Sequence, residues 1–215
     1  MPNPAQVPSL ISADGEAFHS HATNSQATNS QPINSEAFRE GWWQSALAMP
    51  SPNFNQRPDD IPVRLIVLHN ISLPPGEFGS GAVVRFFQNQ LDSQEHPYFR
   101  EIESLQVSAH FFIERDGRVI QCVSCDQRAW HAGRSSYLGV ADCNDYSIGI
   151  ELEGTDTVPF TDAQYTSLQH LVSAIQAHYP DTSHQLTGHS DIAPGRKTDP
   201  GSCFDWLRFR RHLKG

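Results

Sequence analysis

The chain has 215 residues, with 24 acidic against 15 basic side chains and a formal net charge of -9. That length accommodates one ordinary domain with a sizeable core plus extra segments. The acidic balance argues against general nucleic-acid binding and a polybasic membrane surface, and no apolar run approaches the roughly 20 residues that span a bilayer.

Residues 1–35 are rich in Asn, Ser, Gln, Thr and Ala and carry the imperfect repeat Ala22-Thr23-Asn24-Ser25-Gln26 and Ala27-Thr28-Asn29-Ser30-Gln31. Such a composition cannot bury enough apolar surface to offset chain entropy, so a disordered polar extension is expected there. The folded domain is expected over residues 36–215. Residues 36–47 read as a short amphipathic helix, and the polar, Pro-containing run from Pro50 to Pro62 as a surface crossing.

Arg64 to His69 is a short apolar run suited to a buried strand. Ser80 to Asp92 reads as a helix, with Val83, Val84, Phe87 and Leu91 at helical intervals. Ser108–Glu114 and Arg118–Val123 flank Asp116-Gly117, a pair that favours a tight hairpin turn. Tyr146 to Glu153 alternates, with Ile148, Ile150 and Leu152 on one face and Ser147, Gly149, Glu151 and Glu153 on the other. Thr161 and Gln164 have capping-box spacing and open a helix that Pro180 ends. A last helix is expected from Phe204 to Leu213. Strands mixed with helices, one pair of them a hairpin, predict an α/β fold with a mixed central sheet flanked by helices.

Cys122-Val123-Ser124-Cys125 has a zinc-knuckle or redox spacing, but no second close pair follows and the motif closes a strand. Reduced thiols are the expected state. The N-terminus shows no basic n-region followed by a continuous apolar stretch, so a cytoplasmic location is expected.

The chemistry concentrates in Gly188-His189-Ser190-Asp191-Ile192-Ala193-Pro194-Gly195-Arg196-Lys197-Thr198-Asp199-Pro200-Gly201, a Gly/Pro-bounded loop holding an imidazole, an ammonium and a carboxylate. With His69 at the end of its strand, His189 and Asp199 make a two-His, one-carboxylate set of the kind that holds catalytic zinc and leaves a fourth position open. A base on the polar face of the Tyr146–Glu153 strand completes a hydrolase, and spacing alone leaves Glu151 and Glu153 equivalent. Lys197 can stabilise developing negative charge. Each residue also has a plainer reading: His69 as a packed histidine, Asp199 as a turn cap before Pro200, Arg196 and Lys197 as solvated charges, the two glutamates as a solvent-facing strand edge. His110 reads as structural, and His131 as either pocket lining or packing.

Leu68-His69-Asn70-Ile71-Ser72-Leu73-Pro74-Pro75-Gly76-Glu77-Phe78-Gly79, Ser108-Ala109-His110, Arg128-Ala129-Trp130-His131-Ala132-Gly133, Gly149-Ile150-Glu151-Leu152-Glu153-Gly154-Thr155-Asp156 and the 188–201 run with Phe204-Asp205-Trp206 together resemble the amidase_2, or peptidoglycan-recognition-protein-like, zinc amidases. The likeness is to the branch that cleaves 1,6-anhydro-N-acetylmuramyl-L-alanine in cytoplasmic peptidoglycan recycling, and it covers roughly residues 40–213. It implies zinc on His69, His189 and Asp199, with Glu151 as base and Lys197 stabilising the transition state. Asn70, Trp130 and His131 are implied as pocket residues, and the substrate as a small anhydro-muropeptide acted on by a monomer. Gln106 and Asp142 stand where basic residues are expected in close relatives, which predicts an altered grip on substrate carboxylates. Two other readings share the residues: a muropeptide-binding module without catalysis, and an exported amidase acting on intact peptidoglycan.

Overall fold

In the computed structural model, residues 37–211 and 213 are described; the expected extension over 1–35 lies outside them. The first described segment is not the helix expected over residues 36–47. Strands β1 (Phe38–Arg39) and β2 (Trp42–Trp43) pair antiparallel, with Phe38 opposite Trp43. Glu40 and Gly41 between them both take positive φ, 52° and 73°, which reverses the chain as a two-residue hairpin turn does. A Cβ on Gly41 would lie 2.1 Å from Ser124 Oγ, so glycine is required. Phe38 lies in the core, its ring stacked on His178.

Strands β3 (Leu47–Ala48) and β4 (Phe54–Gln56) follow, then the seven-residue β5 (Leu65–Ile71). Helix α1 spans Ala82–Phe87, shorter than the expected 80–92, because Asn89 turns the chain with φ 58°. Helix α2 (Pro97–Ile102) escaped the sequence reading; it is six residues long and opens with His96 Nδ1 accepting from the Tyr98 N–H. The expected hairpin forms as β6 (Phe111–Ile113) and β7 (Val119–Gln121), with Gly117 at φ 87° in its turn. Short strands β8 (Gln127–Ala129), β9 (Ser136–Tyr137) and β10 (Val140–Ala141) lead to β11 (Ser147–Glu153). Helix α3 (Asp162–His178) has the expected capping box, β12 spans Leu186–Gly188, α4 His189–Ile192, and α5 Trp206–Arg211 stands within the expected 204–213.

The main sheet runs β12-β5-β11-β6-β7-β3, with β12, β5, β11 and β6 mutually parallel and β7 antiparallel to β6. One face carries Ile66, Leu68, Ile148, Ile150 and Leu152 against Leu168, Leu171, Val172 and Ile175 of α3. The opposite face is divided. Leu65, Val67 and Ile192 form one apolar patch, while Phe112 and Ile120 pack with Val83, Phe87, Phe99 and Ile102 of α1 and α2. Between these patches runs the polar face of β11. All seven β11 residues are buried, so its alternation marks a polar face held inside the protein, not a strand exposed on one side.

The α3 cap gives a stability test. Thr161 Oγ1 accepts from the Gln164 N–H at 3.0 Å and donates to Arg115 O at 2.8 Å, while Gln164 Oε1 accepts from the Thr161 N–H. Thr161→Ala is expected to cost about 1–2 kcal/mol, read as a lower urea midpoint at unchanged m-value.

Candidate metal centre

Three neighbouring parallel strands deliver three side chains to one spot. In β5 and β11 the register places His69 directly opposite Glu151. Gly188, the last residue of β12, pairs with Leu68, so the next residue, His189, emerges beside His69. This is the carboxyl-terminal end of the parallel strands, where open α/β sheets place their ligand crevices. Gly188 has no room for a side chain, since a Cβ would lie 2.7 Å from Pro200 Cδ.

Asp199 returns to the same spot because the 189–199 loop is closed on itself. Ser190 N–H donates to Asp199 O at 2.9 Å, and Asp191 Oδ2 accepts from Thr187 Oγ1 and from the Gly188 N–H. Arg196, which sequence alone left as a solvated charge, donates through Nη2 to Ala132 O and Arg134 O, both at 2.7 Å. The Asp199 carboxylate is therefore no turn cap; its Oδ2 lies 3.1 Å from His69 Nδ1 and 3.0 Å from His189 Nδ1, and the two Nδ1 atoms are 2.9 Å apart.

Hydrogen bonding around the triad dictates where the imidazole protons sit. Ser147 Oγ donates to Cys143 O, so it accepts from His131 Nε2 at 3.1 Å. Neutral His131 then has a bare Nδ1, which accepts from His69 Nε2 at 2.9 Å. Neutral His69 in turn presents a bare Nδ1. His189 Nε2 donates to Ala132 O at 3.1 Å, which leaves its Nδ1 bare as well. Three lone-pair atoms thus converge with no proton between them. Such an arrangement is repulsive by itself and attractive around a cation, and a tetrahedral ion with ligands at about 2.0–2.1 Å needs donors only a few tenths of an ångström further apart. His69, His189 and Asp199 can hold a metal ion.

Burial dominates the electrostatics. It lowers the His69 imidazolium to about 4, and it pushes His131 and His110 well below the usual histidine range. Glu151 goes the other way. Burial, reinforced by the Asp199 charge and opposed by Lys197, pushes its carboxyl well above the usual range.

The two glutamates of β11 are separated by their partners. Glu153 Oε1 accepts from the Gly79 N–H at 2.6 Å and Oε2 from the Arg115 N–H at 3.0 Å, so it ties two loops to the sheet. Glu151 Oε2 is buried and has no hydrogen-bond partner among the described residues. Glu151 thus brings a buried carboxylate oxygen without a protein donor, and with a raised proton affinity, to the same cleft as the metal-type cluster.

Asn70, Trp130, His131, Glu151, Lys197 and Asp199 all line one cleft of about 750 Å³. Asn70 Nδ2 donates to Asp156 Oδ1 at 2.8 Å, and Trp130 Nε1 to Asn55 Oδ1 at 2.6 Å. Lys197 is exposed on the cleft wall. His110 is structural: its Nδ1 accepts from the Gly149 N–H and its Nε2 donates to Gln127 O. Gln106 and Asp142 are exposed and are not among the cleft's lining residues. Cys122 and Cys125 are buried free thiols, the first pushed up to about 12 by burial, which leaves them unreactive.

Residues 59–202 match the Amidase_2 family, N-acetylmuramoyl-L-alanine amidase. The 1,6-anhydro-N-acetylmuramyl-L-alanine amidase AmpD of Escherichia coli (strain K12) is 56% identical over 171 residues, 80% of this chain and 93% of that protein. A crystal structure of a selenomethionine AmpD derivative aligns with a TM-score of 0.80 at 54% identity, over 81% of this chain and 98% of its own. The Escherichia coli amidase AmiD, solved with anhydro-N-acetylmuramic acid-L-Ala-D-gamma-Glu-L-Lys, aligns with a TM-score of 0.52 at 28% identity, over 74% of this chain and 60% of its own.

The unequal partners of the two glutamates predict unequal effects on the metal-free fold. Glu153→Ala orphans the Gly79 and Arg115 N–H groups and is expected to cost about 1–3 kcal/mol for each. Glu151→Gln removes a buried, unpaired charge and is expected to leave the urea midpoint at or above that of the metal-free parent. Equal losses in both variants would contradict the assignment of partners.

Proposed function

The chain belongs to the Amidase_2 family and is an N-acetylmuramoyl-L-alanine amidase, and from that premise we propose that it is a zinc enzyme hydrolysing the amide between 1,6-anhydro-N-acetylmuramic acid and the L-Ala of the stem peptide, in cytoplasmic peptidoglycan recycling. The observation that carries the reading is the meeting of three bare ligand atoms, His69 Nδ1, His189 Nδ1 and Asp199 Oδ2, beside the unpartnered Glu151 Oε2. The substrate assignment leans on the 56% identity to a protein that bears this activity in its name. Buried free thiols fit a reducing compartment, and no helix among the described residues is long and apolar enough to cross a membrane.

His69, His189 and Asp199 would hold the zinc, which would supply Lewis-acid polarisation of the scissile carbonyl and a more acidic water. Glu151 takes a proton from the attacking water on Oε2; its raised proton affinity lets it keep that proton long enough to pass it to the departing L-Ala nitrogen. Lys197, on the cleft wall, opposes the negative charge that grows on the carbonyl oxygen. Asn70 and Trp130, each held by a hydrogen bond from its side chain, shape the cleft wall that the muropeptide meets.

A non-catalytic muropeptide-binding module has no use for a base left without a partner, and that observation favours hydrolysis. Mass spectrometry after incubation with an anhydro-muropeptide is expected to show free stem peptide and 1,6-anhydro-N-acetylmuramic acid, lost on chelation and restored by zinc. Glu151→Gln should lower turnover by about 10²–10⁴-fold with zinc still bound, and Lys197→Ala by about 10²–10³-fold. Cleavage of intact sacculi at comparable rate would transfer the protein to the wall-degrading class, and ligand binding without cleavage to the sensing class. Zinc at 100 times its dissociation constant is expected to add about 2.7 kcal/mol to unfolding, measured as a rise in Tm over the metal-free chain.

A further inference from the structure

His131 occupies a place that pocket lining does not explain. It lies between two buried groups, and both its ring nitrogens are committed: Nε2 to Ser147 Oγ and Nδ1 to His69 Nε2. Its backbone is committed too, since the N–H groups of His131 and Ala132 both donate to Asn144 Oδ1. The sheet has been cleared to receive it. A Cβ on Gly149 would lie 2.4 Å from His131 Cγ, so the imidazole sits where every other residue of β11 carries a side chain.

We propose that His131, oriented by Ser147, is a positioning residue that locks His69 into the tautomer whose Nδ1 faces the metal. The chain of donors starts at a fixed point, the Cys143 carbonyl, which can only accept. That forces the Ser147 hydroxyl proton toward Cys143, the His131 proton onto Nε2, and the His69 proton onto Nε2. Without the chain, neutral His69 is free to protonate Nδ1, and a proton there competes directly with the metal. Partners of this kind behind a histidine ligand commonly contribute 10–100-fold in metal affinity. Packing alone would ask only for an aromatic ring over Gly149; it would be indifferent to Ser147.

The inference rests on the zinc reading, and its test separates the two. Zinc affinity of the full chain is measured by competition with a chromophoric chelator for the parent, His131→Ala, Ser147→Ala, Gly149→Ala and His131→Asn. Long-range ¹⁵N–¹H spectra of the metal-free proteins report the His69 tautomer, its signals identified by their loss in His69→Ala. The expected result is roughly 10–100-fold weaker zinc binding and a mixed His69 tautomer in His131→Ala and Ser147→Ala. Gly149→Ala should shift both readouts the same way, because its methyl group displaces an unaltered His131. His131→Asn, whose amide oxygen can accept from His69 Nε2, should recover part of the loss. Parent affinity and a single Nε2–H tautomer in both His131→Ala and Ser147→Ala would overturn the inference. Should His131→Ala fail to fold, the milder Ser147→Ala decides by the same criteria. A parent chain without zinc affinity overturns the function reading, and the metal-free tautomers then still decide this one.

Discussion

Three atoms that all want a positive partner, and share none, stand 2.9–3.1 Å apart at the end of the central strands. The surroundings decide that they stay there. The parallel register sets His69 beside Glu151, β12 stops one residue before His189, and the loop that returns Asp199 is pinned through Ser190, Asp191 and Arg196. A mobile loop would relieve the repulsion by swinging the carboxylate into water. A loop tied by backbone and guanidinium hydrogen bonds keeps the carboxylate in place and leaves the relief to a cation.

The two segments that carry the ligands are also joined to each other away from the ligand atoms. Ala132 O accepts from His189 Nε2 and from Arg196 Nη2, while the residue before it, His131, serves His69. One turn of chain, held by Asn144, thereby orients both imidazoles. Arg196, an exposed residue, adds two charge-assisted bonds at this turn, to Ala132 O and Arg134 O. The geometry of the site and the stability of the fold therefore draw on the same contacts.

Much of this was legible in the residues. Alternation exposed β11, the Thr161–Gln164 pair announced α3, Asp116-Gly117 announced the hairpin, and the density of chemistry in 188–201 pointed to the site. What stayed hidden has physical reasons. Residues 36–47 read as an amphipathic helix, but the positive φ of Glu40 and Gly41 turns the chain into a hairpin between Phe38 and Trp43. Helix α2 is too short to show a period. Arg196 looked solvated because its acceptors, Ala132 and Arg134, lie more than 60 positions away along the chain. The Cys143–Ser147–His131–His69 relay joins residues up to 62 positions apart, so spacing could offer His131 only as a residue near the cleft.

The polar face of β11 shows why the plain reading of its glutamates fails. A strand with hydrogen-bonded neighbours on both sides, β5 and β6, cannot be a solvent edge. Its four polar-face positions must then be satisfied one at a time inside the protein. Ser147 spends its proton on Cys143, Gly149 has no side chain and yields its space to His131, and Glu153 is saturated by two backbone N–H groups. Only Glu151 keeps an oxygen that no described residue answers. Of the polar-face side chains of this strand, Glu151 is the one left to answer whatever enters the cleft, and a carboxylate kept hungry for a proton beside a metal-type triad suits the proton transfers of an amide hydrolysis.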